Sequence, residues 1–374
     1  MIDKTSLSAE WLAGKKQRYK KDPGIIESMI HALYLLDQLR ATELDFIFKG
    51  GTSLILLMER PLRFSIDIDI IVSPELTKEA LEKHLLQIPG SSAFLRVELD
   101  ERRSYKPGIP KAHYRFIYHS NVPTKNLSGQ VAANPEREIL LDVLFAENPY
   151  PTLVERPIQT DWVVMTGAPL TVKTPDLNSI AGDKLVAFAP CTTGVPYGAD
   201  KEKEIVKQLF DVGNLFHHIT DFETFKKSYH ASAAGEIKYR PERKIMSAEE
   251  ILRDTIATGL IIARREYHEP GDEDSRAKFA EINTGINQFG HFVFEGSFRI
   301  DHAQAASAKA AYLAALILTG HSGSPALFDQ RIDMKEYLIL HPSFNYLNKR
   351  LKFVAGGEPL FYWSQTIKLL HDHL

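Results

Sequence analysis

Apolar residues recur along this chain with two different periods, and the switches between them mark out its elements. From Ile25 to Leu39, the positions Ile25, Ile26, Met29, Ile30, Leu33, Leu36 and Leu39 follow a helical repeat. They predict a long amphipathic helix packed on a sheet. Phe46, Ile47 and Phe48 form a short apolar run that reads as a buried strand. Gly50 and Gly51 turn the chain, and the apolar run to Met58 predicts a helix capped by Thr52 or Ser53 and ended by Pro61. From about Phe64 to Val72 the period becomes two. Arg63, Ser65, Asp67 and Asp69 share one face of an extended chain, and Phe64, Ile66, Ile68 and Ile70 the other.

Further on, Pro74 to Leu86 reads as a helix, and Phe94 to Leu99 and His113 to His119 read as strands around a polar turn, RRSYKPGIPK. Tyr114, Phe116 and Tyr118 fall on one side of the second strand, where packing on a sheet is the plainer use of three aromatics than stacking on bases. Ile139 to Phe145 is apolar except for Asp142. A Pro- and Thr-rich stretch with one strand near Trp162 to Met165 separates this half from a helical one. Helices are predicted around Ile180 to Val186, Lys201 to Phe216, Ser247 to Glu266, Ser275 to Gln288 and Asp301 to Leu318, with one or two more after Phe328. Ser247 and Glu250 have capping-box spacing. The alanine-rich helix after Asp301 suits either a domain core or a partner-binding surface.

The chain has 374 residues, enough for two domains. We place the boundary at 170/171. A net charge of −3 makes no general glove for nucleic acid, so RNA binding would need a local basic patch. Lys15, Lys16, Arg18, Lys20 and Lys21 form one such cluster; taken alone it reads first as a solvated helix face and second as a contact with a nucleic-acid backbone. One cysteine, Cys191, excludes an intrachain disulfide and suits a reducing compartment. The charged first 24 residues are unlike a signal peptide, and no apolar run reaches the ~20 residues of a membrane span, so a cytoplasmic location is expected. The histidine pairs His217/His218 and His371/His373 lack the ligand spacing of a zinc site.

The chemistry concentrates between Phe46 and Val72. Glycines without a Cβ let backbone approach a ligand, and a helix start beside them favours phosphate. Asp67 and Asp69 repel each other unless a cation lies between them, although a solvated edge strand would show the same alternation. Asp142, inside an apolar run, needs a cation, a basic partner or several hydrogen bonds.

These motifs, KGGTSL followed by RFSIDIDIIV, resemble the opening motifs of the AbiEii/AbiGii-type nucleotidyltransferase toxins, in the DNA polymerase β-like nucleotidyltransferase superfamily. The resemblance implies an α+β fold: a polymerase β-like core with a mixed sheet over 1–170, then a mainly helical domain over 171–374. It implies Asp67 and Asp69 as magnesium ligands and Asp142 as the third carboxylate of a two-metal site, with Glu138 in reserve. Gly50, Gly51 and Ser53 would cradle a triphosphate, Ser65 would bond a phosphate, and Arg63 or Lys184 would offset its charge. Lys184, and Asp211 in LFDVGNL, match a later helical lysine and aspartate of the family, with Asp211 expected to orient Lys184 or another group of the active-site cleft. The arginine that often follows that lysine is missing from KLVAFAPCTTG.

The implied reaction is metal-assisted transfer of NMP from an NTP to RNA, at the 3′ end of a tRNA, with a cognate antitoxin as partner and no membrane involvement. Nothing in the residues themselves selects tRNA. A transferase acting on a small molecule or a protein, and a catalytically silent nucleotide-binding module, remain alternatives.

Overall fold

The computed structural model describes residues 1–125, 131–132, 134–267 and 271–372; His373 lies outside them. The described residues fall into two compact units. The first comprises Met1–Asn148, Leu153–Asp176 and His291–Gly296; the second comprises Pro149–Thr152, Leu177–Gly290 and Ser297–Leu374. Where the sequence reading cuts the chain once, the chain re-enters the first unit twice, at Leu153 and for the six residues His291–Gly296.

The first unit is built on a mixed sheet. Its strands are β1 (Ile47–Lys49), β2 (Ile68–Val72), β3 (Phe94–Leu99), β4 (Lys111–His119), β7 (Glu136–Phe145), β8 (Leu153–Pro157) and β9 (Thr171–Pro175); β5 (Thr124–Lys125) and β6 (Val131–Ala132) pair separately. The order is β3-β4-β7-β2-β1-β9-β8. β2 runs parallel to β7, β1 parallel to β9, and the other neighbours are antiparallel. Five short or long helices belong here: α1 (Ala9–Tyr19), α2 (Pro23–Ala41), α3 (Gly50–Leu57), α4 (Lys78–Leu85) and α5 (Gln87–Ser91).

The strand register sorts the side chains into two faces. Tyr114, Leu141 and Ile68 lie in one cross-strand row, and Ala112, Val143, Ile70 and Phe48 in the next. All seven are buried. Helix α2 lies over this apolar face. It is buried almost all round from Ile26 to Leu39, rather than on one stripe, because α1 covers its outer side. His31 stacks on Tyr118 at a ring separation of 3.7 Å and donates from Nδ1 to the Glu27 carbonyl at 2.9 Å. Tyr114, Phe116 and Tyr118 are therefore core residues.

Three local expectations differ from what is found. The strand expected from Phe64 begins only at Ile68, because Leu62 to Phe64 pair with the returning segment instead: Phe64 N–H donates to Phe292 O at 2.7 Å, and Phe294 N–H to Leu62 O at 3.0 Å. Helix α3 begins at Gly50 with Lys49 in the N-cap position and no side-chain cap, so neither Thr52 nor Ser53 caps it. Trp162 to Met165 is not a sheet strand. Met165 makes an isolated bridge to Ile2, and Trp162 is buried between Tyr19 and Phe294.

The second unit is helical: α6 (Leu177–Ala187), α7 (Glu202–Leu215), α8 (Phe222–Tyr239), α9 (Ala248–Arg264), α10 (Glu273–Phe289), α11 (Ile300–Leu318), α12 (Leu347–Leu351) and α13 (Glu358–Asp372). Ser247 caps α9, but Glu250 reaches the Met246 N–H rather than that of Ser247, leaving the predicted box half closed. Alanine-rich α11 is buried from Ala303 to Ile317 and packs on α7, α9 and α13, which makes it domain core. A Cβ on Gly182 would sit 2.6 Å from Phe225 O, so α6 and α8 meet through backbone there. Among the described residues, no helix is long and apolar enough to cross a membrane.

Burial pushes the His31 imidazole down to about 4 from an ordinary 6.5. The unfolded chain therefore binds one more proton between those values, and stability falls as pH drops from 6.5 toward 4, by up to about 3 kcal/mol. Urea unfolding should show that fall, and His31→Phe should make it shallower.

Candidate active site

The site is the polar face of the same sheet. Asp69 on β2 stands directly beside Asp142 on parallel β7, and the row continues outward to His113 on β4 and Lys49 on β1. Neighbours in register point to one side of a sheet, so Lys49, Asp69, Asp142 and His113 share a face. Their backbones are about 4.8 Å apart from strand to strand. Two carboxylates at roughly 5 Å repel by on the order of 3 kcal/mol at an effective dielectric of about 20. That repulsion is what a hard cation or flanking positive groups would relieve.

The double glycine docks onto this row. Gly50 has φ of +77°, and a Cβ there would lie 2.2 Å from Asp69 Oδ2. A Cβ on Gly51 would lie 2.3 Å from the Arg63 guanidinium and 3.0 Å from Ser65 Oγ. Gly50, Gly51, Arg63, Ser65 and Asp69 are thus brought together by close backbone approach. Thr52 ties the turn to the next segment: its hydroxyl lies 2.9 Å from Ser65 Oγ and donates to the Asp67 carbonyl. Arg63 is buried and donates to Phe64 O at 2.9 Å.

Other expected residues are placed differently. Ser53 is fully buried and donates its hydroxyl to Gly50 O at 2.8 Å, so it shapes the turn from inside. Asp67 is partly exposed and precedes β2 by one residue, outside the ladder. Asp142 is held by His113, with Nδ1 2.5 Å from Oδ1. Glu138, the reserve acid, pairs across the sheet with Ile117 and lies 3.7 Å from the Arg115 guanidinium, away from Asp69. Among the described residues, no three His, Cys, Asp or Glu side chains already converge as a closed metal cluster. The donor set still fits magnesium, which takes one or two carboxylates and fills its shell with water and substrate phosphate oxygens.

His113 had no motif to announce it, and Lys49 only opens KGGTSL with no role given to it. The strand register sets each beside an acid remote from it in sequence.

In the second unit, Lys184 on α6 and Asp211 on α7 form an ion pair, Nζ to Oδ2 2.9 Å, with side chains 8% and 1% exposed. Lys184 also donates to Gln208 Oε1 at 3.0 Å. Removing one member of so buried a pair strands the other, at a cost of about 3–5 kcal/mol. Asp211→Ala should lower the urea midpoint accordingly. The double variant Lys184→Met, Asp211→Leu should regain most of that loss in the same measurement.

No curated protein matches the chain. Among solved structures it is similar to an antigenic nucleotidyltransferase-like protein from Paracoccidioides brasiliensis, at 16% identity and a TM-score of 0.33, over 58% of this chain and 90% of that one. So low a score carries no weight here. The model of the nucleotidyl transferase AbiEii toxin family, of type IV toxin–antitoxin systems, matches residues 34–282. That span holds the double-glycine turn, Asp69, Asp142 and the Lys184–Asp211 pair, and the chain belongs to the AbiEii nucleotidyltransferase toxin family.

Proposed function

We propose that this enzyme is a magnesium-dependent toxin of the cytoplasm that transfers a nucleoside monophosphate from an NTP to the 3′ end of an RNA, with pyrophosphate as leaving group. Transfer RNA is the acceptor that the family resemblance favours, and a cognate antitoxin is the expected protein partner. The observation that carries the reading is the in-register pair Asp69 and Asp142, with the Gly50 backbone set against the Asp69 carboxylate.

Bound magnesium, two ions in this reading, would supply charge neutralisation on the phosphates and a more acidic attacking hydroxyl. Asp67, Asp69 and Asp142 would hold it. The Gly50–Gly51 turn would let the triphosphate approach the backbone, and Arg63 and Ser65, gathered against Gly51, would steady its oxygens. Lys184, fixed by Asp211 and Gln208, would offset phosphate charge. Positioning and charge stabilisation then supply most of the acceleration, as expected for transfer at phosphorus.

An RNA acceptor is supported by the end of α1. Lys16, Arg18 and Lys20 are exposed, and neither they nor Lys21 forms an ion pair with a described residue. Lys15 differs: its ammonium bonds the Asp161 carbonyl and lies 4.4 Å from the Trp11 ring, so it anchors the helix. These four cations, with no acidic partner among the described residues, are open to a phosphate backbone.

The test is incubation of the full chain with each labelled NTP, magnesium and total RNA. Label should enter RNA, and should be lost with Asp67→Ala, Asp69→Ala or chelation while the melting temperature of the apo protein holds. Retained transfer in Asp69→Ala would overturn the metal-site reading. Label on a protein or small molecule would overturn the RNA acceptor, and binding without transfer would overturn the catalytic reading. RNA affinity should also fall with salt, and a Lys16→Ala, Lys20→Ala, Lys21→Ala variant should show a shallower slope, by about 0.7–0.9 per lost phosphate contact.

A further inference from the structure

We infer that His113 is a positioning residue for the proposed site: its Nδ1–H fixes the Asp142 carboxylate so that the carboxylate meets a divalent cation in one orientation. The inference rests on the proposed function and deepens it.

The geometry is specific at each step. His113 and Asp142 face each other across antiparallel β4 and β7, and Asp142 faces Asp69 across parallel β7 and β2. Nδ1 lies 2.5 Å from Oδ1, a direct hydrogen bond with no room for an intervening water. A carboxylate accepts, so Nδ1 carries the proton. One Asp142 oxygen is thereby committed, and rotation of the carboxyl about its last bond is restrained.

His113 is itself held in place. Its N–H donates to Ser104 Oγ at 2.8 Å, and its carbonyl accepts from Asp100 N–H at 2.9 Å. Ser104 is buried, and its hydroxyl also lies within 3.4 Å of that carbonyl. The β3–β4 turn, which in sequence reads as a bare polar connection, thus clamps the histidine backbone on both sides. The imidazole is 14% exposed at its side chain, so few other orientations are open to it. A histidine kept only for sheet packing has no need of a carboxylate partner; its neighbours on the apolar face of the same strand, Ala112 and Phe116, serve packing without one.

Carboxylates that ligate cations depend on such outer hydrogen bonds, whose loss typically costs 10–100-fold in metal affinity. The test uses the full chain, with manganese as a spectroscopic replacement for magnesium, and follows free manganese by electron paramagnetic resonance. His113→Leu removes the donor. It should weaken manganese binding about tenfold or more and raise the metal concentration needed for half-maximal transfer, with less effect on kcat at saturating metal. His113→Asn places an N–H close to the Nδ1 position and should restore binding to within a few-fold. His113→Gln, whose amide reaches the Nε2 position instead, should not restore it.

Unchanged manganese affinity in His113→Leu would overturn the inference. If that variant fails to fold, the comparison of His113→Asn with His113→Gln decides: equal affinities overturn the inference, and a tighter Asn variant supports it. Asp69→Ala serves as the separate control. If it keeps both manganese binding and transfer, the proposed site itself is wrong; if it loses both while His113 variants bind normally, the site stands and the role of His113 falls.

Discussion

The contact on which the first unit depends is the approach of the Gly50 backbone to the Asp69 carboxylate. It joins the end of β1, the start of α3 and the middle of β2 in one place. A single added carbon at Gly50 would stand 2.2 Å from Oδ2, and its φ of +77° already excludes most side chains at low cost. The turn and the acid are therefore one unit of structure, and neither can move without the other. The apolar reverse of the same strands supports the arrangement. Phe48, Ile68, Ile70, Leu141 and Val143 are buried under α2, so the register that hides them also lines up Asp69 with Asp142. A slip by one residue would expose the apolar row and bury the acids, which gives the site its positional certainty.

Much of this was legible in the sequence because it is local. The double glycine, the alternation from Arg63 to Ile70 and the lone Asp142 in an apolar run are each properties of fewer than ten consecutive residues. Strand β3 and helices α7, α10 and α11 also fall within a residue or two of their predicted bounds. What stayed hidden depends on distant partners. Phe64 reads as strand by alternation, yet its hydrogen bond goes to Phe292, more than two hundred residues away, and shortens β2 at its start. Strands β8 and β9 lie in a stretch whose prolines and threonines suggest a connection, and they become strands because β1 offers β9 a free edge. His113 belongs to the same class: nothing in its own neighbourhood marks it, and only pairing of β4 with β7 gives it a partner.

The second unit follows a different principle, close packing through small residues. Gly182 admits the backbone of α8, Gly213 meets Ala306, and Gly285 meets the backbone at Glu202. Within so tight a helical core, the Lys184–Asp211 pair is conspicuous. Burying two charges costs several kcal/mol each, and their attraction seldom returns more than an apolar pair would. Stability alone gives little reason to keep them. The lysine is held by a carboxylate and by Gln208, which fixes the position of its ammonium within this unit.

The carboxylates of the sheet differ from that pair in a way that bears on how such an enzyme works. Lys184 and Asp211 already satisfy each other. Asp69 and Asp142 face each other with like charge, and the described acids do not close into a three-ligand cluster. Magnesium sheds water reluctantly and is commonly held by one or two carboxylates together with substrate phosphates. A sheet that offers two acids in register, one of them fixed by His113, and a turn bare enough for a triphosphate, is suited to a cation delivered with its nucleotide. On the proposed reading the strands would provide orientation, and substrate phosphate oxygens would complete the shell of a bound magnesium.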